Sequence, residues 1–184
     1  MRNRKPLLRP REKHHVIGMI VGVISDTHDN LPLVERAVQT LNEQKVGLVL
    51  HAGDYVAGFV IPKFKALTCK LVGVFGNNDG DHELLKKRFS ETSNCTIHDR
   101  FAAVTVDGNY RVALLHGDEV ELLNALADSG YFNAIVHGHS HLKGIQRRGK
   151  TLMINPGEVC GYLTGKPTIA LLDTVKHEAE IIEL

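Results

Sequence analysis

What most constrains this chain is where its short apolar runs end. Five of them pass directly into side chains that can bind a metal: Ile24-Ser25-Asp26-Thr27-His28, Leu50-His51-Ala52-Gly53-Asp54, Phe75-Gly76-Asn77-Asn78-Asp79, Leu115-His116-Gly117-Asp118 and Val136-His137-Gly138-His139. The runs are short and rich in β-branched residues, so each reads as a strand. Open α/β sheets bind ligands at the carboxyl edge of their strands. Five strand ends delivering Asp, Asn and His to that edge define a candidate site, whereas a purely structural reading leaves the convergence a coincidence.

The intervening segments predict a parallel sheet. Residues 19–25 read as a buried strand, and Asn30 as the cap of a helix reaching about Glu43 with Leu33, Val34, Ala37, Val38 and Leu41 on one face. Strands at 48–51 and 70–75, with helices at 60–67 and 81–89, complete a βαβαβ order. In the second half, 101–106 and 110–115 flank Asp107-Gly108-Asn109 as a hairpin. A helix at 119–127 and strands at 133–136, 142–147, 151–154, 168–173 and 179–183 follow. About ten strands with about four helices predict two packed sheets with helices outside.

The 184 residues fit one domain, and 43% hydrophobic content suffices for its core. With 22 basic and 21 acidic residues, the global charge gives no argument for a nucleic-acid or membrane partner. The charge is uneven, however. Residues 1–18 carry six Lys or Arg and one Glu, contain Pro6 and Pro10, lack an apolar period, and read as a disordered basic extension. Residues 19–184 then form the folded domain, with 16 basic and 20 acidic residues and a net charge of −4. That sign argues against a long nucleic-acid track and leaves homo-oligomer formation open. Cys69, Cys95 and Cys160 are odd in number and not closely paired, which suits a reducing compartment, so a cytoplasmic location is expected. No apolar run approaches the ~20 residues that span a bilayer.

Carboxylate and amide oxygens mixed with imidazoles suit Mn2+, Fe2+, Zn2+ or Ni2+, whereas an all-oxygen shell would suit Mg2+ or Ca2+. Asp26, His28, Asp54, Asn77, His116, His137 and His139 are too many ligands for one such ion, so two divalent metal ions are expected, Mn2+ foremost. Two ions roughly 3.5–4 Å apart clamp a phosphate and stabilise both attacking and leaving oxygens. Gly53, Gly76, Gly117 and Gly138 stand beside the ligands, where a strand turns sharply and backbones approach closely.

The ordered series Asp-x-His, Gly-Asp, Gly-Asn, His-Gly and Gly-His-x-His resembles the calcineurin-like metallophosphoesterase superfamily. The small size, His-Gly-His-Ser-His at 137–141 and Asn155-Pro156-Gly157 resemble its compact bacterial and archaeal phosphodiesterase branch, related to the retromer subunit Vps29. The resemblance implies an α/β fold, a four-layer αββα sandwich of two mixed sheets flanked by helices. It also implies one metal on Asp26, His28, Asp54 and His139 and the other on Asp54, Asn77, His116 and His137, with Asp54 as the bridge. A hydroxide shared by both ions would attack a small phosphodiester in line. Asp54, Asn77, Asn78, Asp79 and His116 are then the residues expected to carry catalysis.

Many relatives have His directly after Gly-Asn, where this chain has Asn78 and then Asp79. Asn78 can donate to phosphate but cannot deliver a proton, so solvent, Asp79 or another group must protonate the leaving alcohol. Glu158 reads as a turn residue with an exposed carboxylate, a place behind the ligands or at the rim of the site being the alternative; Asp118 reads as a helix cap, and Asp29 and Asn30 as capping residues, with substrate contact the alternative. His51 and His141 read as hydrogen-bonding partners behind the ligands, with a core histidine an equal account of His51. A Vps29-like scaffold that binds protein partners without catalysis, and a phosphomonoesterase or nucleotidase, are the competing functions.

Overall fold

The computed structural model describes residues 18–184; apart from Gly18, the predicted basic extension lies outside the described residues. Strand β1 (Ile20–Ile24) is the pivot of the first sheet, because its alternation sends Val21 and Val23 to one face and Ile24 to the other. It pairs in parallel with β2 (Leu48–His51), β2 with β3 (Lys70–Val74), and β3 with β4 (Cys95–His98).

The second sheet begins with the antiparallel pair β5 (Phe101–Val106) and β6 (Tyr110–Leu115), then β7 (Ala134–Val136), parallel to β6. Strand β8 (Gly144–Arg148) lies antiparallel to β9 (Thr151–Asn155), which runs parallel to β7, giving the order β5-β6-β7-β9-β8. The chain then returns to the first sheet. There β10 (Thr168–Asp173) and β11 (Glu178–Glu183) add two antiparallel strands beside β1. Both sheets are mixed, as expected.

Helix α1 (Leu31–Glu43) starts where Asn30 accepts a hydrogen bond from the Leu33 amide, and it buries Val34, Ala37, Val38 and Leu41. Gly22 of β1 is required beneath it, since a β-carbon there would lie 2.4 Å from Leu41. Asp81 caps α2 (His82–Ser90), and α3 (Val120–Ser129) ends at Gly130 with φ of 60°. The segment Ile61–Ala66 is a 3₁₀ turn, not an α-helix, with Pro62 in its first turn.

Four layers result. Helices α1 and α2 and the 3₁₀ turn cover Ile24, Val49, Leu71 and Phe75; Val21, Val23 and Leu50 meet Val112, Leu114 and Ile154 between the sheets; α3 covers Ala113, Leu115 and Ile135. Each fully buried aliphatic side chain stabilises the sandwich by roughly 1.5–3 kcal/mol. Strand β4 was not foreseen, because Cys-Thr-Ile-His alternates between exposed and half-buried and carries no apolar run. The carboxyl ends of β1, β2, β3, β6 and β7 all reach one edge, where the site is built.

Candidate metal centre

The ladder between β1 and β2 continues past both strands: the Asp26 amide donates to Gly53 at 3.0 Å, and the Thr27 and His28 amides donate to Asp54 at 3.0 and 3.1 Å. This locks the first two ligand loops side by side. Gly53 makes the turn at φ of 101°, and a β-carbon on it would meet the Gly76 backbone at 2.6 Å. Gly138 is needed for proximity, since its β-carbon would lie 1.9 Å from Ser25 Oγ and 2.6 Å from Asp26. Asp26, His28, Asp54, His139 and His141 all hold φ between 39° and 67°, a left-handed backbone that non-glycine residues adopt at a cost, here bent to aim side chains inward.

Asp54 stands at the centre. Its Oδ2 lies 3.5 Å from His28 Nε2 and 3.4 Å from His116 Nε2. Burial alone would raise the Asp54 carboxyl, but the His116 ring beside it and hydrogen bonds from Asn78 more than offset this and hold it far below the usual carboxylate range. On one side Asp26 Oδ1 faces His28 Nε2 at 3.8 Å and His141 Nε2 at 3.4 Å. On the other, Asn77 Oδ1 lies 2.9 Å from His116 Nε2 and 2.8 Å from His139 Nδ1.

Proton positions test whether these groups fit metal ions. His116 Nδ1 lies 2.8 Å from the Ala52 carbonyl, which can only accept, so Nδ1 carries a proton and, in the neutral ring, Nε2 a lone pair. That lone pair points at the oxygens of Asn77 and Asp54. His141 repeats the arrangement, with Nδ1 donating to Glu158 at 2.7 Å and Nε2 facing Asp26. Oxygens facing these ring nitrogens at such distances call for a cation between them, a proton or a metal ion. Asp26 Oδ1 and His28 Nε2 are moreover buried without a hydrogen-bond partner among the described residues, so the donor set fits divalent ions.

His137 departs from the expectation that it is a ligand. It extends β7, its amide donating to the Ile154 carbonyl at 3.0 Å. By the two-residue period of a strand it therefore shares the face of Ile135, beneath α3, instead of the face of Val136. Its ring lines a cavity of about 350 Å³ with Leu123, Gln146 and Met153, and burial lowers its pKa. His141, two residues beyond His139, faces the site instead, so Gly138-His139-Ser140-His141 brings two imidazoles to Asp26 and Asn77.

The candidates expected to act on substrate are occupied differently. Asn78 donates its side-chain amide to Asp54 Oδ2 at 2.7 Å and its backbone amide to Oδ1 at 2.9 Å. Asp79 is buried, and its two oxygens accept from the amides of Asp54, Tyr55, Val56 and Gly76 at 2.7–3.1 Å. Burial nevertheless raises its pKa. A carboxylate so enclosed holds the two loops together and has no lone pair aimed outward.

The surrounding residues also sort themselves. His51 is a satisfied core histidine, stacked on Tyr55 at 3.9 Å, accepting from the Gly53 amide at 3.1 Å and donating to Thr27 Oγ1 at 3.2 Å. Asp29 holds the loop after Asp54 by accepting from Ala57 and Phe59. Asp118 pairs with Arg100 and makes no cap; Glu119 takes the cap position without a side-chain bond. Glu158 is fully buried, not exposed, and contacts His141. Burial would raise its carboxyl, but hydrogen bonds with His141 and Thr164 bring it down to about 2. Nothing in its neighbouring sequence signalled this, because His141 lies on another loop.

The described residues contain no helix long and apolar enough to cross a membrane, and all three cysteines are free. The model of the calcineurin-like phosphoesterase superfamily domain matches residues 19–177. A phosphodiesterase of Methanocaldococcus jannaschii is 39% identical over 166 residues, covering 90% of this chain and 99% of that protein. The solved structure of an archaeal phosphodiesterase superposes with a TM-score of 0.85 at 38% identity, covering 90% of this chain and all of the other. Vps29 of Entamoeba histolytica, solved with zinc, shares the fold at a TM-score of 0.64 and 20% identity over 90% of this chain and 98% of that one. With its site and its fold in agreement, this chain belongs to the calcineurin-like phosphoesterase superfamily.

Proposed function

We propose that the chain is a metal-dependent phosphodiesterase acting on small phosphodiesters, with one divalent ion held by Asp26, His28, Asp54 and His141 and a second by Asp54, Asn77, His116 and His139. The observation that carries this reading is Asp54 Oδ2, placed 3.5 Å from His28 and 3.4 Å from His116, between the two imidazole groups. The similarity to archaeal phosphodiesterases over nearly the whole of each chain supports the diester preference. Mixed oxygen and imidazole donors favour Mn2+, with Ni2+, Fe2+ and Zn2+ as alternatives. The free thiols suit a reducing, cytoplasmic setting.

When bound, the ions supply Lewis acidity and an acidified water for in-line displacement at phosphorus. The protein residues supply the geometry. Asp54 spans the two positions, the Ala52 carbonyl fixes the His116 tautomer, and Asp79 ties the Asp54 loop to the Gly76 loop. Neither Asn78 nor Asp79 is a proton donor for the leaving alcohol, so substrates with good leaving groups are favoured.

The test is hydrolysis of bis-p-nitrophenyl phosphate and p-nitrophenyl phosphate with and without added Mn2+, repeated for Asp54→Asn. The expected outcome is metal-dependent activity, higher on the diester and lost in the variant. A protein that binds Mn2+ but cleaves no diester across a broad panel overturns the reading in favour of a scaffold, and higher activity on monoesters favours a phosphomonoesterase.

A further inference from the structure

Glu158 is a fully buried carboxylate with no lysine or arginine paired to it among the described residues. Such a group is costly unless its oxygens are saturated, and here the loop after Pro156 closes around it. Oε1 accepts from the Leu163 amide at 3.0 Å, the Thr164 amide at 2.6 Å and Thr164 Oγ1 at 2.7 Å. Oε2 accepts from Cys160 Sγ at 3.1 Å, from the Leu163 amide at 3.2 Å and from His141 Nδ1 at 2.7 Å. Holding the loop would need only the backbone donors. The contact with His141 does something more, because the imidazole's other nitrogen faces Asp26 Oδ1 at 3.4 Å.

We infer that Glu158 is the positioning residue of His141: by accepting the Nδ1 proton it fixes the tautomer whose bare Nε2 points at Asp26. It thereby governs the affinity of the ion that Asp26, His28 and His141 hold, leaving the ion on Asn77, His116 and His139 untouched. The inference rests on the metal reading above. Partners that orient and polarise a ligating histidine are worth about 10- to 100-fold in metal affinity.

Glu158→Gln separates orientation from packing. The amides of Leu163 and Thr164 claim the glutamine oxygen, which turns its NH2 toward His141. A donor there demands a bare Nδ1, so the proton moves to Nε2 and the lone pair for the ion is lost. Isothermal titration with Mn2+ should show one of two ions weakened about 10- to 100-fold and the other unchanged. Nitrogen-15 spectra of the metal-free proteins, at a pH well above histidine titration, should show His141 protonated on Nδ1 in the wild type and on Nε2 in Glu158→Gln.

Wild-type affinity for both ions in a folded Glu158→Gln protein overturns the role of Glu158. An Nε2-protonated His141 in the wild type does the same, and that measurement decides even if the variant fails to fold. Wild-type protein that binds no divalent ion overturns the metal reading itself, so the two failures are distinguishable.

Discussion

Oδ2 of Asp54 lies 3.4 Å from Nε2 of His116, whose other ring nitrogen is 2.8 Å from the Ala52 carbonyl. In the neutral ring the proton sits on the far side, given to the Ala52 carbonyl, so acceptor faces acceptor until a proton or a metal ion lies between them. Asp54→Asn keeps the shape and removes the charge that a second cation needs. We expect a loss of at least about 100-fold in kcat/KM, ~2.7 kcal/mol of transition-state stabilisation. Full metal-dependent activity in this variant contradicts the bridging role.

Asp79 distinguishes a structural carboxylate from an acid. Asp79→Ala strands four backbone amides, and hydrogen bonds to a charged group are worth about 1.5–3 kcal/mol each. The expected cost is about 3 kcal/mol or more, a fall in Tm of roughly 6–12 °C for a domain of this size by calorimetry. An unchanged Tm, with a rate penalty confined to poor leaving groups, would instead make Asp79 the proton donor.

Asn78 follows Asn77 where many members of the family carry His, and here it donates to Asp54. Asn78→His is expected to raise the rate on alkyl phosphodiesters more than on nitrophenyl ones, because only the poorer leaving group needs a proton. Equal effects on both substrates would sink this explanation.

Protons and metal ions compete for the imidazoles. His28 is raised above its ordinary value near 6.5, chiefly by the Asp26 carboxylate beside it; for His116, burial lowers the value but Asp54 more than restores it. Raised values mean that protons occupy these rings already at mildly acidic pH, so metal binding releases protons and weakens as pH falls. In the metal-free protein the sign is opposite: these two groups contribute stability that is present below about 6.5 and lost as pH rises through the folded values. A chelator competition for Mn2+ at neutral and mildly acidic pH should show weaker binding at the lower pH, and equal affinities would contradict the competition. At 100 times Kd, the ion should add about 2.7 kcal/mol, a rise in Tm of roughly 5–10 °C, reversed by EDTA.

How much of this was legible in the sequence depended on periodicity. The strands that end at Asp26, Asp54, Asn77 and His116 are strongly apolar, and their ends could be placed by inspection. Strand β7 is short, and His137 continues it, so its alternation with Val136 and Ile135 was the signal that it faces α3. Counting by two from Ile135 places His137 beneath α3 and leaves His139 and His141 as the proposed ligand pair. The partners of Glu158 and Asp79 were not legible. Each carboxylate is held by backbone amides of loops whose approach depends on tertiary packing, and a sequence carries no periodic mark of that. Strand β4 was missed for another reason: as a half-exposed edge it lacks the apolar run that identifies a strand.

The proposed two-ion site takes its imidazoles from His28, His116, His139 and His141. Metal content per folded chain, measured by mass spectrometry after equilibration with Mn2+, tests it most directly when His141→Ala and His137→Ala are compared. Two ions are expected in the wild-type protein, two in His137→Ala and one in His141→Ala. Two ions retained in His141→Ala with one lost in His137→Ala, or no ion in the wild-type protein, would contradict it.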